Sequence, residues 1–236
     1  MAAAGKSNKS YERNRDESAA MFSNADLKRL IFPLVIEQAL ALTVGMADVM
    51  MVSYAGEAAV SGVSLVDMIN VLLINIFAAL ATGGAVVTAQ YLGARNRKKA
   101  CESADQLMVV TIVISIFIMG LTLLFQRPLL RLFFGAIEDD VMSACITYLW
   151  ISALSYPFLA VYNSCAALFR AMGNSKVSML VSLAMNVINV AGNAFFIFTF
   201  QMGVAGVATA SLISRVAACV IMVVLLSNPG HQVFIS

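Results

Sequence analysis

Residues 30–55, LIFPLVIEQALALTVGMADVMMVSYA, decide how the chain is read, because a run long enough to cross a bilayer holds two carboxylates, Glu37 and Asp48, among apolar neighbours. A charge within hydrocarbon costs about 2.5–3.5 kcal/mol on insertion scales, and such groups usually face a bundle interior or an aqueous cavity. Function is therefore the first expectation for this stretch.

The surrounding composition agrees. Of 236 residues, 61% are hydrophobic and 12% charged, with a mean hydropathy of +0.87, whereas soluble domains carry about 25% charged residues. The chain reads as an integral membrane protein. Since a span needs roughly 20 apolar residues and short polar connections break the apolar runs, the expected fold is an all-α bundle of six transmembrane helices. The alternating segments of a membrane barrel are absent. Cys101, Cys145, Cys165 and Cys219 stand apart in apolar context without a CxxC pair, which suits small packing residues better than disulfides or metal ligands.

Working outward, residues 1–27 are polar and lack the apolar core of a signal peptide, so they read as a cytoplasmic tail. The helical lobe is expected over 28–228, with spans near 30–55, 62–93, 101–125, 141–172, 177–200 and 204–227, and residues 229–236 as the start of a linker. Pro33 suits a first turn, Pro128 the start of a short interfacial helix, and Pro157 a kink within the fourth span. The run ALATGGAVVTA in the second span permits close helix contact. Lys and Arg number six before the first span, four after the second and two around the turn after the fourth, against two, Arg127 and Arg131, on the other side. The positive-inside rule then puts both termini in the cytoplasm, in accord with an even number of spans.

With that topology, a rise of about 1.5 Å per residue places polar groups by depth. Asp48, Asn193, Asn189, Thr209 and Ser211 fall at one level near the outer face. Asn189 and Asn193, four apart, share a helix face. A carboxylate flanked by neutral oxygens suits Na⁺, as for other hard cations, and equally suits a proton, because desolvation disfavours a charged carboxyl. Glu37 lies about 16 Å nearer the cytoplasm and either lines a lower cavity or reaches toward the interface. Asp67, expected in the first two turns of its span, is read as reaching outer water. Arg215, near mid-depth, requires a partner. Asn70, Asn75, Asn163 and Asn186 read first as interhelical hydrogen-bonding residues, with Asn186 and Ser211 also candidates to line a cavity.

In order along the chain, PLVIEQ, GMADVMMVSYAG, GGAVVTAQYLGARNRKKA, LFRAMGNSKVSM, NVINVAGN and GVAGVATAS resemble the N-terminal lobe of the multidrug and toxic compound extrusion (MATE) family. The resemblance covers nearly everything after the tail. It implies efflux of organic cationic or amphipathic compounds across the plasma membrane, driven by Na⁺ or H⁺, through alternating access between two six-helix lobes. It also implies that Asp48 is the coupling-ion carboxylate, with Asn189, Asn193 and Thr209 beside it. Some branches of the family have an aspartate where this chain has Asn193, which leaves the ion open. The family has twelve helices and this chain six, so it reads either as a truncated product that transports nothing or as a lobe that pairs with another, a homodimer included. A lipid-linked precursor flippase would need several basic residues in the cavity, and only Arg215 qualifies. An enzyme finds no support, since HExxH, GxSxG and P-loop patterns are absent and His231 is the single histidine.

Overall fold

The computed structural model describes residues 24–235, so most of the expected tail lies outside the described residues. Helix α1 (Asn24–Val52) begins before residue 28, where the tail was expected to end. Pro33 consequently falls inside the helix rather than in its first turn, and it is buried. A tight turn, Ser53–Ala55, and Gly56 at φ 106°, a backbone region in which glycine alone is at ease, lead into α2 (Glu57–Gly93). This start is earlier than expected and puts the acidic Glu57 in the first turn, where the helix dipole favours it.

Helix α3 (Arg97–Leu124) also starts early, because the Asn96 side chain accepts a hydrogen bond from the Lys99 N–H and caps it. A short helix, α4 (Gln126–Phe134), crosses the end of the bundle opposite Arg95–Lys99. The fourth span is a broken pair, α5 (Asp139–Leu154) and α6 (Tyr156–Ala171), bent by 48°. Pro157 causes the break: it has no N–H to donate, and its ring crowds the carbonyl of Ala153. Helix α7 (Ser175–Ala194) ends in a wide π turn, Phe195–Thr199, and α8 (Gly203–Leu226) follows. Counting α5 and α6 as one, six spans among the described residues are long and apolar enough to cross a membrane.

The closest packing is α7 with α8, α2 with α3 and α6, and α1 with α7, while α1 meets α2 only lightly. Small residues permit this: a Cβ on Gly62 would lie 2.7 Å from that of Ala144, and one on Gly192 2.9 Å from that of Ala210. Among the described residues the core divides into a cluster around Phe169, Met222 and Leu226 toward the basic end, another around Val66, Leu149 and Val207 toward the opposite end, and a smaller one of Phe77, Ala153, Tyr156 and Ala160. Leu42, Val113 and Val187 are exposed on the outer surface, as befits a lipid-facing wall.

Residues 229–235, expected as the start of a linker, fold back against α3. The Arg97 guanidinium donates to the carbonyls of Pro229 (2.8 Å), His231 (2.7 Å) and Gln232 (3.1 Å), and Val233 is fully buried. The four cysteines are free thiols, three of them buried.

Candidate functional site

Helix α7 lies between α1 and α8, and its polar stripe joins them. Asn193, fully buried, donates through Nδ2 to Asp48 Oδ1 and to Asn189 Oδ1, the latter at 3.2 Å. Asn189 Nδ2 in turn donates to Ser211 Oγ at 3.0 Å. One chain of hydrogen bonds thus runs Asp48, Asn193, Asn189, Ser211 across three helices. Gly192, turned toward Ala210, allows α7 and α8 to approach closely enough for its last link. The two acceptors fix the orientation of the Asn193 amide, so its Oδ1 is left buried without a donor. Such an orphaned acceptor carries a desolvation cost of about 1–3 kcal/mol.

The remaining expected residues are distributed differently. Thr209 spends its hydroxyl proton on the Ala205 carbonyl at 2.7 Å, one turn back in its own helix, and makes no hydrogen bond to the chain above. Asn186 is buried with an unpaired Nδ2. Glu37 stands apart from Asp48, as its depth suggested. Ser178 donates to Glu37 Oε2 at 2.9 Å, Arg170 donates to Ser178 Oγ at 3.1 Å, and the guanidinium lies 4.0 Å from Glu37 Oε1. With its side chain 14% exposed, Glu37 faces inward rather than reaching for the interface.

Asp67 corrects the sequence reading. Because α2 starts at Glu57, Asp67 stands in its third turn and does not simply meet outer water. Its Oδ1 accepts from Asn70 Nδ2 at 3.2 Å and from the Tyr148 hydroxyl at 3.1 Å, and Asn70 Oδ1 accepts from the Tyr156 hydroxyl at 2.9 Å. Arg215 also has a partner: Nη1 donates to Ser155 Oγ at 2.6 Å, at the break between α5 and α6. Sequence reasoning missed this second centre. Its only local signal was the three-residue spacing of Asp67 and Asn70, while Tyr148 and Tyr156 come from remote stretches.

The MatE family model matches residues 33–195. Among curated relatives, an uncharacterized transporter, YisQ, of Bacillus subtilis is 31% identical over 90% of this chain and 46% of its own length. A probable multidrug resistance protein, NorM, of Thermotoga maritima is 27% identical over 80% of this chain and 41% of its own. Among solved structures, a MOP superfamily transporter from Pyrococcus furiosus superposes with a TM-score of 0.83 at 23% identity, covering 89% of this chain and 46% of that one. An outward-facing multidrug resistance MATE family transporter gives 0.83 at 22% identity, over 89% and 47%. The chain spans about half the length of the relatives it matches.

Proposed function

The chain belongs to the MatE family, and from that premise we propose that it forms one lobe of a cation-coupled antiporter exporting organic cationic or amphipathic compounds. In this reading Na⁺ or H⁺ is coupled at Asp48, and a second six-helix lobe, a separate partner or another copy, completes an alternating-access route. The lobe sits in the plasma membrane with both termini cytoplasmic. The name of the Thermotoga relative, a probable multidrug resistance protein, supports the substrate class.

The observation that carries the coupling site is the buried Asn193 Oδ1 without a donor, on the amide whose Nδ2 donates to the Asp48 carboxylate. A cation meeting both oxygens would relieve the orphaned acceptor and balance the carboxylate at once, which is the donor set hard cations prefer. A proton on Asp48 can achieve both as well, since the carboxylic O–H is able to donate to Asn193 Oδ1 while the other carboxyl oxygen accepts from Nδ2. Exchange between these states gives the lobe two electrostatic conditions between which an ion gradient can drive it.

The test compares the purified chain with Asp48→Asn. Na⁺, against an equal concentration of choline, is expected to stabilise the unsubstituted chain against unfolding by about 2.7 kcal/mol at a hundredfold excess over Kd, and to leave the variant unmoved. An equal Na⁺ response in both rejects the sodium site. Ethidium efflux from cells expressing the chain reads out export directly, and efflux that survives Asp48→Asn rejects Asp48 as the coupling group for either ion.

A further inference from the structure

The bundle end opposite Arg95–Lys99 holds a charged cavity that the coupling site does not use. Helix α4 is anchored there by the fully buried Leu130, while Leu132 (81% exposed) and Phe133 (52%) point outward. Arg127 and Arg131, one turn apart on α4, line a cavity of about 400 Å³ together with Asp139, Ser143 and Thr147 of α5. Neither guanidinium makes an ion pair or hydrogen bond with a described residue, and Asp139 shares the cavity without coming within ion-pair distance of either.

Two like charges a helical turn apart repel each other, and their planar donors match the oxygens of a phosphate diester. The unpaired carboxylate in the same cavity suits a cationic group with N–H donors. Further along the α5 stripe that holds Ser143 and Thr147, about 16 Å from Asp139 at helical rise, stands Trp150, 51% exposed, an apolar surface at the depth of acyl chains.

We propose that this cavity binds the head group of a phospholipid with a primary ammonium, its phosphate held by Arg127 and Arg131 and its ammonium by Asp139, with the acyl chains passing over Trp150. The exposed Leu132 and Phe133 beside the cavity, with Trp150 exposed deeper along α5, set it at a bilayer surface, which selects a lipid over a soluble phosphate ester. The site is independent of the coupling ion.

Native mass spectrometry of the purified full chain tests it, with phosphatidylethanolamine, phosphatidylcholine and phosphatidylglycerol of identical acyl chains. Phosphatidylethanolamine is expected to be retained on the order of tenfold over phosphatidylcholine, whose quaternary nitrogen offers no N–H to Asp139, and R127Q/R131Q is expected to lose that retention. D139N, a change at an exposed position, is expected to abolish the preference over phosphatidylcholine while leaving phosphate binding intact. Equal retention of the three lipids, or unchanged retention in R127Q/R131Q, overturns the site. A preference that persists in D139N overturns the ammonium assignment, and displacement by an equal concentration of glycerophosphoethanolamine overturns the lipid as its source.

Discussion

Asn193 shows how much a single side chain can organise. Its amide donates to Asp48 and Asn189, so replacing it frees one carboxylate and one amide oxygen together. Tyr148, 4% exposed, plays the corresponding part for Asp67. Tyr148→Phe keeps the ring and removes the donor, leaving a carboxylate oxygen with one partner fewer. The expected cost is about 1–3 kcal/mol, read as a lowered unfolding midpoint in detergent, and an unchanged midpoint would show that water already serves Asp67. At this scale the depth argument was legible for Asp48, Asn189, Asn193 and Ser211, because helical rise converts residue number into height. It could not show that Thr209, at the same height, turns its hydroxyl back to Ala205, since rotamer choice depends on neighbours.

Among the elements, the contact of α7 with α8 positions the site, and Gly192 permits it. Gly192→Ala places a methyl 2.9 Å from the Ala210 Cβ, so the helices must separate. Overpacking of this kind costs about 1–3 kcal/mol, and the Asn189–Ser211 bond should lengthen with it. Gly45→Ala is the control: nothing lies within 4 Å of its Cβ, and removing a mid-helix glycine should stabilise by about 0.5–1 kcal/mol. Chemical denaturation of both variants checks the opposite signs. Pro157 was legible as a kink from its missing N–H alone. That the bend would bring Ser155 to Arg215 was not, because the two lie 60 positions apart in sequence.

For the whole molecule, the paired lipid-facing and basic surfaces bear on orientation. A cysteine at Ala136, beyond α4, and one at Lys98, at the start of α3, occupy opposite ends of the bundle. Membrane-impermeant maleimide added to intact cells is expected to label Ala136→Cys and spare Lys98→Cys, and the reverse pattern would invert the proposed export direction. Hydropathy and the placement of Lys and Arg sufficed to foresee a helical membrane bundle of six spans, because lipid compels a chain to satisfy its backbone within helices whose length the bilayer sets. The same physics made Asp48 conspicuous, as an acid among apolar residues. The start of α2 at Glu57, the seating of Asp67 between Asn70 and Tyr148, and the Arg215–Ser155 contact were decided only in the tertiary structure. Helix ends and side-chain partners depend on which faces of distant spans meet, and lipid-facing and protein-facing walls look alike in an apolar sequence, where no polar side marks the inside.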